Sequence, residues 1–281
     1  MLTIGVLIQD VWAKMIGIHL QQDIIEKIKQ KADIAYFENE KDLINALSNG
    51  AIAVVPRPMR DLPTQLPNGI VISGVSERPL MSLCLIISKD KVEENKFLSL
   101  KEGAIVSLQS NINRLQFLEL RSDVVAETHH LTPVQTFEKL QSGDFDACVI
   151  SSVGAKVMDI SDANYAVIPF SPKEFITEPG HGIAAYLTAE DDLTTRRLIK
   201  PLHYPSVSAV SNVERRLKQL FNDVDIAAYC ERDRANNYHL WAAAIINNEL
   251  KKTRLSQSTH FELAERCFEK LHQPIARAHQ F

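Results

Sequence analysis

Apolar positions near the start of the chain switch between two periods. Residues 3–8 read as a strand, and Ile16, Leu20, Ile24 and Ile28 then recur every fourth residue, the mark of an amphipathic helix. Residues 34–37 form a second predicted strand, residues 41–48 a short helix stopped by Gly50, and residues 51–55 a third strand. Strands alternating with helices predict an open α/β sheet with mainly parallel pairing. Pro56, Pro58 and Pro63 predict an irregular connection, followed by an apolar strand over 82–88 and a solvated linker over 89–96.

The pattern then repeats. A strand is expected over 104–108, and a helix through Leu120 follows from Ile112, Leu115, Gln116 and Glu119. Thr132, Pro133 and Gln135 open another helix as cap, first-turn proline and capping-box partner, and Gly143 stops it before a strand over 146–151. Two such units predict two lobes with a cleft between them, where ligands of such folds sit at the carboxyl ends of strands. The last part differs. Ser211 to Glu214 read as a capping box opening a helix through Phe221; strands over 224–230 and 237–246 flank a turn at Asn236-Asn237. A helix over 259–272 carries Phe261, Ala264, Phe268 and Leu271 on one face. The expected division is a discontinuous first α/β lobe (1–90 and 177–200), a second α/β lobe (91–176) and a C-terminal α+β domain (201–281).

The chain has 281 residues, 45% hydrophobic and 23% charged, enough for a large core. The net charge of −4 and scattered Lys and Arg exclude a basic nucleic-acid stripe. No apolar run is long enough to span a bilayer, and the first residues lack the pattern of a signal peptide, so a cytoplasmic protein without membrane association is expected. Cys84, Cys148, Cys230 and Cys267 form no C-x-x-C pair and no zinc spacing, so no metal is expected. Cys84 and Cys148 sit in apolar runs and read as buried reduced thiols.

Several short motifs occur in a telling order. Leu100-Lys-Glu-Gly-Ala-Ile-Val106 precedes Leu140-Gln-Ser-Gly-Asp-Phe-Asp-Ala147, similar to "L-x-x-G-x-Y-D-A", and Ser152-Val-Gly154-Ala-Lys156, similar to "A-x-A-G-L-K-R". Gly180-His-Gly182 with Asp191-Asp192, then Val213-Glu-Arg215, Ile226-Ala-Ala-Tyr229 and Leu240-Trp241, extend the series nearly to the end of the chain. In this order the motifs resemble the porphobilinogen deaminase (hydroxymethylbilane synthase) family of tetrapyrrole biosynthesis. The resemblance implies two periplasmic-binding-protein-like α/β lobes plus a small C-terminal α+β domain. It also implies a transferase that joins porphobilinogens head to tail with loss of ammonia, on a dipyrromethane cofactor tethered to one cysteine.

The residues that such chemistry needs are largely replaced. The family's cysteine lies in a "G-G-C-Q" loop, and the matching stretch here, Leu220-Phe-Asn-Asp-Val-Asp225, is shorter and has none. A thioether requires a thiolate, so no cofactor is expected. Cys230 is nearby but reads as a core residue. Leu7, Ile112, Asn113, His130 and Thr136 stand where the family has arginines for carboxylates. A hydrogen bond to a charged group contributes about 1.5–3 kcal/mol, so losing four or five weakens the hold on a polyanion by decades.

What remains is sparse. Arg57-Pro-Met-Arg60-Asp61-Leu-Pro63 resembles the "H-S-x-K-D-x-P" loop, so Asp61 matches the catalytic acid and Arg60 the lysine; the alternative for Asp61 is a turn former before Pro63. Ser110, His130 and His181 are the other candidate ligand contacts, with His181 set in a glycine-flanked turn or hinge. His129-His130 as a metal site has no supporting carboxylate spacing, and two surface histidines are the simpler reading. The expected partner is a small anionic or pyrrolic ligand in the inter-lobe cleft, and the sequence is silent on oligomeric state. Three functions compete: a diverged ligand-binding or regulatory relative, which the lost arginines favour; an active deaminase or other pyrrole-processing transferase using Asp61; and an unrelated α/β lyase or dehydratase, against which the terminal domain argues.

Overall fold

The computed structural model describes residues 1–79, 82–160, 164–222 and 225–273, without the side chain of Val157. It divides into two units: Met1–Pro79 with Pro179–Gln219, and Leu80–Glu178 with Leu220–Phe281.

The first unit begins with β1 (Leu2–Leu7), α1 (Val11–Asp23), β2 (Ala32–Phe37) and α2 (Glu40–Ser48). Asp10 caps α1 by accepting from the Ala13 amide at 2.9 Å, and the helix runs on through a π-helical turn at Ile24–Ile28. That turn keeps Ile24 buried and ends at Lys29 in the left-handed region (φ 61°). β1 and β2 pair in parallel from Leu2↔Ala32 to Leu7↔Phe37. The third strand lies later than the sequence predicts: residues 51–53 are irregular, Val54 makes one parallel bridge to Ile4, and β3 is Val55–Pro58. Two prolines are tolerated in it because β3 is the edge of a sheet ordered β3, β10, β4 and needs no amide on its open side. β4 (Ile70–Val75) follows, a strand the sequence reading did not mark.

The second unit opens with β5 (Leu83–Ser88), then β6 (Ile105–Leu108), α3 (Asn111–Leu120), β7 (Val125–Thr128), α4 (Pro133–Ser142), β8 (Ala147–Ser151), α5 (Ser152–Val157) and β9 (Tyr165–Pro169). The five strands order as β7, β6, β8, β5, β9; β6 is parallel to β7 and β8, whereas β5 is antiparallel to both its neighbours. Pairing is therefore mixed rather than mainly parallel. Alternation puts Leu83, Leu85, Ile87, Val106 and Val149 on one face with Phe117 of α3, and Cys84, Ile86, Cys148 and Ile150 on the other with Leu140 of α4. The predicted capping box is present: Gln135 N donates to Thr132 Oγ1 at 3.2 Å, and the Gln135 side chain accepts from the Thr132 amide at 3.0 Å. Gly143 ends α4 at φ 83°. The predicted linker is partly structured, with Val92 bridged to Leu100 and Lys91 paired to Asp146 at 3.3 Å.

The chain returns to the first unit through β10 (Ala184–Ala189), α6 (Leu193–Leu198) and α7 (Pro205–Leu220). β10 pairs antiparallel with both β3 and β4. Asp192 caps α6, accepting from the Thr195 amide at 2.9 Å. The expected capping box at Ser211 is not a helix start. α7 begins at Pro205, a residue suited to a first helical turn, so Ser211 lies inside the helix and donates to Ser208 O at 3.1 Å. The second unit closes with β11 (Ile226–Arg232), β12 (Tyr238–Ile246), β13 (Glu249–Gln257) and α8 (Leu263–His272). These three strands form an antiparallel sheet, of which β13 was not anticipated. Leu263, Ala264, Cys267 and Leu271 are the buried face of α8; Phe261, expected among them, precedes the helix and is 73% exposed. No helix among the described residues is long and apolar enough to cross a membrane.

Candidate functional site

In the first unit the candidate residues converge on the turn after β3. The chain leaves Pro58 into a single 3-10 turn at Met59–Asp61, fixed by the Met59 amide on Ile183 O at 2.8 Å and the Leu62 amide on Met59 O at 3.2 Å. Two cations of α7 hold its carbonyls. Lys218 Nζ donates to Arg60 O and Leu62 O at 3.4 and 3.5 Å, and Arg215 Nη2 to Pro63 O at 2.9 Å. Asp61 is thus both a turn residue and a presented carboxylate: its side chain is 42% exposed, with Arg60 Nε 3.3 Å from Oδ1.

Arg60 also reaches His181, with Nη1 3.4 Å from Nδ1. A guanidinium only donates, so Nδ1 accepts. His181 is only 3% exposed, which makes it a packed partner of Arg60 rather than a surface histidine. Its loop is fastened from behind by two residues that sequence reasoning missed. Glu214 of α7, fully buried, accepts from the Gly180 amide at 2.7 Å and from Arg78 Nη1 at 2.6 Å; Arg78 Nε donates to His181 O at 3.1 Å. The glycine of this loop is required twice over. Gly180 has φ +79°, and a Cβ there would stand 2.8 Å from Met59 Cγ and 3.2 Å from Arg60 N. Arg60, Asp61 and His181 therefore share one preorganised corner, and Arg78 and Glu214 support it.

In the second unit Ser110 and His130 each follow the end of a strand, β6 and β7, whose last residues Leu108 and Thr128 pair in parallel. Ser110 is the cap of α3, its Oγ accepting from the Asn113 amide at 3.3 Å. His130 is exposed in the stretch between β7 and α4. His129 is 31% exposed, with its ring 4.7 Å from that of Phe145 and Nδ1 3.4 Å from Ser107 Oγ. The first turn of α3 is the better-built feature. Buried Asn113 donates through Nδ2 to Glu178 Oε1 at 2.9 Å, and buried Gln116 brackets Ile176 through both its N–H and its carbonyl, at 2.9 and 3.0 Å. Ile112 is core, and Thr136 is buried with its hydroxyl donated to Thr132 O at 3.0 Å. The first turn of α3 thus holds the carboxylate of Glu178 through the Asn113 amide.

All four thiols are buried. Burial pushes Cys84 up to about 11 and Cys267 up to about 12, and moves Cys148 in the same direction. Cys230 is 1% exposed on β11. Of the shortened loop before that strand, Asn222 is described and left-handed at φ 53°; Asp223 and Val224 lie outside the described residues.

The chain is similar to the porphobilinogen deaminase of Sulfurimonas denitrificans, 25% identical over 186 residues that cover 65% of this chain and 56% of that one. It is 27% identical to that of Chloroherpeton thalassium over 63% of this chain and 54% of that one. Against the protein of Chlorobium phaeovibrioides it is 26% identical over 80% and 72%. The chain spans about half the length of the first two relatives. Among solved structures, a periplasmic substrate-binding protein of an ABC transporter from Coxiella burnetii superposes with a TM-score of 0.46 at 18% identity, covering 79% of this chain and 98% of that one. Residues 10–197, well over half of the 281, match the family model described as "Porphobilinogen deaminase, dipyromethane cofactor binding domain", and the chain belongs to the porphobilinogen deaminase family.

Proposed function

We propose that this chain is a diverged, ligand-binding or regulatory member of the family that holds no thioether-tethered dipyrromethane. The burial of all four thiols carries this reading. A tether needs a thiolate that a pyrrole can reach, and desolvation disfavours the thiolate. Asn113 supports it, because its amide, donating to Glu178 Oε1 at 2.9 Å, offers no guanidinium to the acetate and propionate groups of a growing pyrrole chain. The ligand is then smaller or less anionic than a polypyrrole.

A second reading, a residual deaminase acting without a tether, is favoured by one observation: the Asp61 carboxylate is 42% exposed beside Arg60. Ammonia release on incubation with porphobilinogen separates the two, and intact mass before and after reports any tether. No ammonia, with an unchanged mass and thermal stabilisation, fits a binding protein, and a ligand at a hundred times its dissociation constant adds about 2.7 kcal/mol. A pyrrole adduct that disappears in Cys230→Ser overturns the proposal.

A further inference from the structure

The terminal sheet of the second unit carries a hydrogen-bonded row outside the features discussed so far. His239 of β12 and Ser256 of β13 are direct cross-strand partners, so both side chains leave the same face. His239 Nδ1 stands 2.7 Å from Ser256 Oγ. His239 Nε2 stands 2.9 Å from Asp233 Oδ2, in the turn after β11. Asp233 is itself oriented, its Oδ1 accepting from the Asn237 amide at 2.8 Å.

This arrangement fixes the tautomer. An ionised carboxylate only accepts, so Nε2 carries the ring proton and Nδ1 keeps a lone pair for the Ser256 hydroxyl. The hydrogen bond from His239, followed by that from the Asn237 backbone, holds the Asp233 carboxyl below the usual carboxylate range. Exposure grades along the row: the His239 side chain is 15% exposed and Asp233 33%, while Ser256 lies exposed on the sheet's edge strand. The base is sheltered and the hydroxyl is presented. Beside them, Trp241 is flanked by Arg254 and Lys173, 4.9 and 5.0 Å from its ring centre, and the His239 ring is 5.8 Å away. Glu231 of β11, the cross-strand partner of His239, pairs with Lys173 at 2.6 Å, so Arg254 supplies the positive charge that favours a substrate with a negative charge near its acyl group.

We propose that Asp233, His239 and Ser256 form a nucleophilic serine centre for an activated carboxylic ester or thioester. Ser256 Oγ bonds to the carbonyl carbon while its proton passes to His239 Nδ1. The carbon–leaving-group bond breaks, and the departing alkoxide or thiolate takes that proton, leaving acyl-Ser256. Water then attacks the acyl carbon with His239 as base, releasing the acid and restoring the hydroxyl. Asp233 is a positioning residue, acting through His239.

The test uses the full chain and a fluorophosphonate, with peptide mapping by mass spectrometry. Ser256 Oγ bonds to phosphorus, the P–F bond breaks, and fluoride leaves while the serine proton passes through His239 to solvent. The expected result is one phosphonyl group on Ser256, formed at a rate that rises with pH through an imidazole titration. His239→Gln slows it on the order of 100-fold, Asp233→Asn by roughly tenfold, and Ser256→Ala abolishes it. No phosphonylation of Ser256, or a rate unchanged in His239→Gln, overturns the proposal. If a variant fails to fold, the pH profile of the unaltered chain decides: a rate that ignores the imidazole titration overturns it as well.

Discussion

The Arg78 guanidinium meets the fully buried Glu214 carboxylate at 2.6 Å, and the carboxylate's other oxygen accepts from the Gly180 amide at 2.7 Å. One acidic side chain thus ties α7 to the loop that packs His181 against Arg60. Removing one member of a buried pair leaves the other uncompensated, at about 3–5 kcal/mol. Arg78→Ala and Glu214→Ala are each expected to cost that much, read as a lowered urea midpoint. The double variant should cost clearly less than the two losses combined. Additive losses would mean that the pair does not act as a unit.

Gly180 gives a sharper comparison, because a second glycine serves as its control. Gly180 and Gly143 are both left-handed, at φ +79° and +83°. Alanine at either pays about 1–2 kcal/mol for that conformation. At Gly143 an added Cβ meets nothing within 4 Å, whereas at Gly180 it meets Met59 Cγ at 2.8 Å and the Arg60 amide nitrogen at 3.2 Å. Gly180→Ala should therefore destabilise more than Gly143→Ala, and it should disturb the His181 ring signals in an NMR spectrum. Equal losses would show that the turn after β3 yields easily.

What was legible in the chain was local. The Thr132–Gln135 capping box, the Gly143 stop and the strand over the apolar run ending at Ser88 rest on neighbours within a few residues, and they stand as expected. The misses have a common cause in distance or in partial exposure. Glu214 pairs with a residue 136 positions away, whereas its local sequence reads only as the end of a capping box begun at Ser211. β13 has few apolar residues, since Lys252, Arg254 and Ser256 are exposed, and no alternation marked it as a strand. β3 hides behind its prolines because only its place at a sheet edge makes them acceptable. Arg60, Asp61 and His181 were found through motifs, but their meeting in one corner depends on a fold that joins residues 121 apart.

Acid should act on the terminal sheet through Asp233. Its carboxyl is held below the ordinary value of 3.8, first by the hydrogen bond from His239. A group whose pKa is depressed by folding stabilises the native state above its unfolded pKa, and that contribution is lost as pH falls through the folded value. The Asp233–His239 contact should therefore persist at neutral pH and fail below pH 3.8. Amide exchange in the Asp233–Asn237 turn, compared between the unaltered chain and Asp233→Asn, checks this. The two should converge in acid and differ near neutrality, and a constant difference across that range would remove Asp233 as the cause.

The thiols provide the last test, because their chemistry separates packing from function. Cys84 and Cys148 lie on the same face of β5 and β8, with Cys84 opposite Ile150 and Ile86 opposite Cys148. Desolvation raises both, Cys84 to about 11, and raises Cys267 on α8 to about 12. A thiol with such a value is almost wholly protonated at neutral pH, and a protonated thiol is a poor nucleophile. Cys230 is shielded by burial at 1% exposure. Ellman's reagent should accordingly find almost no reactive thiol in the native chain and four in the urea-unfolded chain, with native reaction limited by opening of the structure. A single fast thiol in the native state that is absent from Cys230→Ser would instead mark an accessible anchor on β11, and would restore the case for a tethered pyrrole.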